Sequence, residues 1–284
     1  MQIAGNDLRG DGVDLDRIHW SGAIAFIVLN MATLGALFLV PVNGAVAILG
    51  IVTFSVRTFA LTAGYHRYFS HRSYRTSRAF QLALAVLGCA SFQQGPLWWA
   101  GHHRHHHRNT DRPTDIHSPR HHGFFWSHVG WPFSYRNEPT QFDLVKDFSR
   151  FPELRWLDRH HRLPAFAMAG AAYLVGGMPG LVWGFFFPTV VLFQTTFLVN
   201  SVAHGWGTRR YDTKDDSRNN WWIALLTFGE GWHNNHHRYP SSARQGFFWW
   251  ELDITWLFLR ALARAGVVWD LQLPPRALLE RAAA

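Results

Sequence analysis

The sequence predicts an all-α integral membrane protein: four transmembrane helices in two hairpins, with a cytoplasmic helical cap holding a histidine-rich dinuclear metal site. Three observations carry this expectation. The 284-residue chain contains apolar runs long enough to cross a bilayer. Its Lys and Arg avoid the turns between paired runs. Its histidines recur in three separated clusters, two of them with i, i+3, i+4 spacing.

Residues 1–19, with Asp7, Asp11, Asp14 and Asp16 beside Arg9 and Arg17, read as a solvated tail without the basic start of a signal peptide. Residues 20–40 are apolar throughout, about 21 residues, enough for a hydrocarbon core of ~30 Å. Pro41, Asn43 and Gly44 break that run. A second apolar run, residues 45–63, carries one charge, Arg57, expected to snorkel or to face protein. These runs make the first hairpin, residues 20–63.

The central cap is expected over residues 64–162. Within it residues 82–92 are apolar, followed by Gln93, Gln94, Gly95 and Pro96. That run is too short to span, so the stretch near 80–97 reads as an interfacial or re-entrant helix, with the histidine clusters on either side of it facing one compartment. Residues 163–176 and 181–203 are apolar around Gly-Gly-Met-Pro-Gly and predict the second hairpin, its first arm short. Residues 204–284 return to the cap. There residues 249–265 form an amphipathic candidate, with Leu252, Trp256, Leu259 and Ala263 along one face.

Neither hairpin turn contains a Lys or Arg, whereas residues 66–162 hold fourteen and ten more follow His204. The positive-inside rule then places both termini and every histidine cluster in the cytoplasm. A formal charge of +8 beside apolar spans points to an anionic membrane surface, not to nucleic acid. A single cysteine, Cys89, excludes an intrachain disulfide and a self-contained cysteine-ligated iron-sulfur cluster, so electrons must come from elsewhere. The 15 Trp, 23 Phe and 7 Tyr suit interfacial belts and an apolar substrate cavity. Few lysines and many Ala, Arg and Gly suggest a bacterial host of high genomic GC content, and hence an inner membrane.

Residues 98–107 read Trp-Trp-Ala-Gly-His-His-Arg-His-His-His. On a helix, His103, His106 and His107 would present three imidazoles to a common point, and His102, His105 and His106 satisfy the same spacing. Spacing does not choose between the two registers. His233, His236 and His237 repeat the pattern, and the looser pair His66 and His71 precedes both. Eight histidines exceed the four ligands of a zinc ion, so a dinuclear site is the economical reading. Imidazole serves iron, zinc, copper and nickel alike. A metal cap at a membrane surface, with no nucleophile or phosphate loop in view, suggests oxidation of a lipid chain. An unactivated methylene offers nothing to a general base, whereas iron and dioxygen supply the oxidising power. A non-enzymatic metal-binding or transport protein is the rival of another class; against it, transport sites usually lie near the bilayer midplane.

The chain resembles the integral-membrane fatty acyl desaturases, in particular the stearoyl-CoA desaturase-like, bacterial Δ9 branch, over about residues 62–239. The motifs are Ala-Gly-Tyr-His-Arg-Tyr-Phe-Ser-His (63–71), His-Arg-His-His-His (103–107), Gly-Phe-Phe-Trp-Ser-His-Val-Gly-Trp (123–131), Asn-Ser-Val-Ala-His (200–204) and Gly-Glu-Gly-Trp-His-Asn-Asn-His-His (229–237). The resemblance implies two iron ions, dioxygen as co-substrate and a cis double bond at carbon 9 of a saturated acyl chain. It fixes the second box at His103, His106 and His107 and adds His204, for a ligand set of His66, His71, His103, His106, His107, His204, His233, His236 and His237, with Asn200 acting through a water. His102, His105, His121, His122 and His128 become bystanders. Trp99 and Thr196 match positions that line the bend of the acyl tunnel, Gln93 matches a polar neighbour there, and Glu230 suits a partner behind a histidine. Where animal acyl-CoA desaturases place Arg-Asp, this chain has Gly101 and His102, which weakens the case for a CoA thioester and opens phospholipid-linked or carrier-protein-linked acyl chains. No fused cytochrome-like domain follows the matched part, so a separate ferredoxin, cytochrome or flavoprotein reductase is expected. Hydroxylation or terminal-alkene formation on the same scaffold is the nearest alternative.

Overall fold

A computed structural model describes residues 17–281, so most of the expected tail lies outside the described residues. Helix α1 (Trp20–Leu39) starts where the His19 ring accepts the Gly22 amide at 3.2 Å, and it stops before Pro41. Helix α2 (Gly44–Ser70) starts on the Asn43 side chain, which accepts from the Val46 amide. It runs seven residues past the expected end at residue 63. Its last part, Ala60–Ser70, winds with wider π-type turns and is buried throughout. The apolar run ends where expected, but the helix does not, because its polar residues find buried partners. Arg67 donates to the Ala243 carbonyl at 2.8 Å and pairs with Glu230 and Asp253.

Arg57, in the apolar part of α2, faces protein. It is fully buried and donates to the Thr53 carbonyl and the Thr189 hydroxyl. The stretch expected as one interfacial helix near 80–97 is divided. Helix α3 (Arg78–Cys89) has 12 residues, about 18 Å at 1.5 Å per residue, too short for a hydrocarbon core of ~30 Å. Phe92 and Gln94 then take positive φ, and helix α4 (Pro96–Asn109) begins.

Helix α5 (Pro152–Arg159) leads into the long run α6 (Leu163–His204). The backbone of α6 leaves helical geometry at Gly177, with φ 60° and ψ −148°. A Cβ on Gly180 would collide with the Ala172 carbonyl eight residues back, a separation of about 12 Å along a straight helix. The chain therefore doubles back within α6. Among the described residues, three helices, α1, α2 and α6, are long and apolar enough to cross a membrane.

Helix α7 (His233–Arg238) is short, and helix α8 (Ile254–Arg264) is capped by Asp253, which accepts from the Trp256 amide. Leu252, expected on the apolar face of this helix, precedes the cap and is exposed, whereas Leu259 is fully buried. Strands β1 (Arg75–Thr76) and β2 (Val268–Trp269) pair antiparallel and clip the C-terminal segment to the chain after α2. A core that includes Tyr65, Phe69, Leu84, Leu97, Leu154 and Leu259 joins α2, α3, α4, α5 and α8 beside the histidines.

Candidate metal centre

Each histidine-bearing helix is fixed by polar contacts on its other faces. Helix α4 starts on the Asp158 carboxylate, which accepts from the Leu97 and Trp98 amides at 3.0 and 2.9 Å. Arg104, between the histidines, donates to the Ser70 and Phe69 carbonyls and forms an ion pair with Asp147, tying α4 to the end of α2. In α7 the two asparagines between the histidines are fully buried. Asn234 accepts from the Arg210 and Tyr211 amides, and Asn235 donates to the Gln245 carbonyl and to Glu251. The six-residue helix His-Asn-Asn-His-His-Arg is held by its asparagines, with its histidines free to converge.

The nine histidines named above fall into two groups. His66, His71, His103, His107 and His236 form one, and His106, His204, His233 and His237 the other, with ligand atoms in each within 4.8 Å of one another. The expectation that each i, i+3, i+4 set meets at one point is corrected. In α4, His103 and His107 join the first group and His106 the second; in α7, His233 and His237 join the second and His236 the first. The physical reason is angular. At 3.6 residues per turn, i and i+4 lie about 40° apart, while i+3 falls on the other side of i, about 100° from i+4. Each helix therefore straddles the space between the groups and contributes to both.

Carboxylates behind the rings set which nitrogen carries the proton. His106 Nδ1 lies 2.9 Å from Asp115, His204 Nδ1 3.1 Å from Asp111 and His237 Nδ1 3.2 Å from Asp215. His66 Nδ1 contacts Glu230, whose other oxygen accepts from Arg67. A proton on Nδ1 leaves Nε2 as a lone pair aimed inward. Within each group, Nε2 atoms approach one another: His71 to His103 at 2.9 Å, and His66 to His236 and His236 to His107 at 3.0 Å in the first, and His233 to His204 at 3.0 Å in the second. His106 Nε2 and His237 Nε2 are buried with no hydrogen-bond partner. Two nitrogens bound at right angles to one cation at ~2.1 Å would lie about 3.0 Å apart. Converging lone pairs, orphaned buried nitrogens and carboxylates on the outer nitrogens all fit a pair of metal ions.

The electrostatics agree with that fit. Burial, reinforced by neighbouring imidazoles, pushes His71, His103, His107, His233 and His236 well below the usual imidazole range, and burial takes His237 to about 4 despite Asp215. These rings are neutral at physiological pH, the form that binds metal. His106 is raised instead: burial opposes this, but Asp115, Asp111 and Asp215 outweigh it. Asp111, Asp115 and Asp215 stay well below the usual carboxylate range against the effect of burial, because each faces an imidazole.

The remaining candidates sort by position. Trp99 stacks on the His103 ring, and Gln93 donates to the Thr196 hydroxyl at 3.1 Å. All three line a cavity of about 720 Å³ between α1, α4 and α6, which Asn200 and His103 also line. A narrower pocket of about 50 Å³ shares Trp99, His103, Thr196 and Asn200 with it and reaches His66, His106 and His233. His102 donates to the Trp98 carbonyl and stacks on Trp98, while His105, His121 and His122 meet the backbone carbonyls of Thr114, Asp111 and Asp115. His128 bridges Ser201 and Gln194. None of these five belongs to either group. Sequence reasoning missed Asp111, Asp115 and Asp215, and also His117, which stacks on His106.

Residues 37–272 match the family model described as Fatty acid desaturase. The chain is similar to the sn-2 palmitoyl-lipid 9-desaturase of Nostoc sp. (strain 36), 38% identical over 259 residues that cover 88% of this chain and 89% of that protein. It is 36% identical to the sn-1 stearoyl-lipid 9-desaturase of Anabaena variabilis over 264 residues, 90% and 95% of the two chains. The Acyl-CoA C20 Delta5-desaturase of Anemone leveillei is 38% identical over 219 residues, 76% and 70% of the two chains. With the match covering most of its length and the histidine groups in place, the chain belongs to the fatty acid desaturase family, in its bacterial-type branch, and is an oxidoreductase.

Proposed function

We propose that this desaturase uses dioxygen and two histidine-held irons to introduce a cis double bond at carbon 9 of a saturated, lipid-linked acyl chain. The observation that carries the reading is that rings of both histidine groups, His66 and His103 of one and His106 and His233 of the other, line the narrow pocket, which shares Trp99, His103, Thr196 and Asn200 with the larger cavity. His66, His71, His103, His107 and His236 would hold one iron, and His106, His204, His233 and His237 the other, with Asn200 reaching the second through a water. When bound, the irons supply the chemistry by which two C–H bonds become a C=C bond while dioxygen, two electrons and two protons become two waters.

The chain's own residues bind, orient and exclude water. Trp99 and the Gln93–Thr196 pair turn the acyl chain beside the histidines, so that one pair of methylenes rests there. Asp111, Asp115, Asp215 and Glu230 keep the proton on Nδ1 of their histidines. Buried Gly101 and His102 offer no charged group to a CoA nucleotide, and the two relatives matched over 89% and 95% of their own length are lipid desaturases by name, both of which favour a lipid-linked chain. The reversal at Gly177 supports four membrane crossings, and the distribution of Lys and Arg supports a cytoplasmic cap in a bacterial inner membrane. Electrons come from a separate ferredoxin, cytochrome or flavoprotein reductase.

The test is the fatty-acid profile, with double-bond location by mass spectrometry, of desaturase-deficient cells expressing the chain or its His106→Ala variant. A carbon-9 monoene that disappears in the variant is the expected result. A hydroxylated or terminal-alkene product would keep the site and replace the reaction.

A further inference from the structure

The larger cavity is lined by parts of two helices that are long and apolar enough to cross a membrane, α1 and α6. One wall is a single face of α1, formed by Gly22, Ala25, Phe26 and Leu29 at helical spacing, and across from it stand Phe92 and, on α6, Phe166. Ala25 and Phe166 line the cavity yet are exposed, Phe166 by 61%. On helices long and apolar enough to cross a membrane, residues that are exposed and also line the cavity place its edge within reach of lipid. Ala25 lies about 7.5 Å along α1 from its first residue, and Phe166 about 4.5 Å along α6, at 1.5 Å per residue. The opening therefore sits just inside the interface, at the depth where acyl chains leave the glycerol backbone.

Polar groups surround the same mouth on its interfacial side: His19, Ser21, Glu138, His161 and Arg162 line the cavity, and His19 and Arg162 immediately precede the two helices. Helix α1 is also the least embedded of the three apolar helices, with 11% of its apolar window buried against 39% for α2 and 50% for α6.

Resting on the desaturase reading above, the geometry points to a lateral portal between α1 and the first arm of α6, through which one acyl chain of an intact glycerolipid passes from the bilayer to the histidines. The glycerol backbone stays at the polar rim, and the chain runs past Phe92 and Phe193 to the bend at Trp99 and Thr196. The lipid never leaves the leaflet, so no water-soluble carrier is needed.

The test reads binding, not turnover. The purified chain in phosphatidylglycerol nanodiscs is irradiated with a phosphatidylglycerol whose stearoyl chain carries a diazirine, and labelled peptides are mapped by mass spectrometry. Labelling of the segments containing Phe92, Trp99 and Phe193 is expected. Ala25→Trp, which fills the portal, lowers that labelling about ten-fold. Phe38→Trp, near the far end of α1, leaves it unchanged. Phe166→Ala widens the mouth and raises the initial labelling rate, so the proposal does not hang on the folding of one variant. Cavity labelling that is indifferent to both portal variants, or that arises only from diazirine-stearoyl-CoA in the aqueous phase, overturns it. Failure of the desaturase reading would show separately, as absence of a monoene in cells.

Discussion

The two histidine groups draw on the same two helices yet are braced differently. Behind the four-histidine group stand three buried or largely buried aspartates, on His106, His204 and His237. Behind the five-histidine group stands, among the described residues, one carboxylate, Glu230 on His66, and it is shared with Arg67. Gln245 lies 3.5 Å from His236 Nδ1 as a neutral neighbour. A cation in the first setting is compensated by charge, whereas one in the second relies on the number of imidazoles and on the fixity of α2. The same ligand type is thus supported by electrostatics on one side and by packing on the other.

The largest effect tests what the groups share. Replacing one ring from either, as in His106→Ala or His236→Ala, should lower monoene formation by about 100-fold or more, because the outer contacts of a metal ligand alone are worth 10–100-fold. Product per milligram of folded protein measures it. Next comes the packing side of the contrast. Arg67→Ala leaves Glu230 and Asp253 buried without their cation, and breaking such a pair costs about 3–5 kcal/mol. Thermal unfolding in detergent should show that loss, and an unchanged midpoint would remove the distinction drawn here.

A direct comparison follows. Asp115→Asn should weaken iron retention about 10–100-fold against a chelator. Gln245→Leu should change it much less, since a neutral amide is lost. Equal effects would break the contrast. The smallest effect is at the bend, where Thr196→Val removes the acceptor of the Gln93 amide, a hydrogen bond worth about 0.5–1.5 kcal/mol. Gas chromatography should show a few-fold change in the ratio of chain lengths desaturated, with the double bond still formed.

Much of this was legible in the sequence for definite reasons. The second and third histidine sets announce themselves because a helix repeats every 3.6 residues, and the family motif selects His103 over His102 and adds His204. The structure brings all nine together. The division into two groups was not legible, because spacing says which rings share a helix face but not what lies on either side of it. The aspartates were hidden for another reason. Asp111, Asp115 and Asp215 sit in irregular segments without a period, and Asp111 even adopts φ 53°. For the fold, apolar length located α1 and the start of α2. It missed the end of α2, where Arg67 and His66 look like a loop and instead continue the helix against buried partners.

The most direct test of two separately braced metal sites is the iron content of the purified, iron-saturated chain, by mass spectrometry of the metal beside amino-acid analysis, for the natural sequence and for His204→Ala. Two irons per chain, one for each histidine group, falling in the variant, is the expected result. One iron or none in the saturated natural chain would contradict the account.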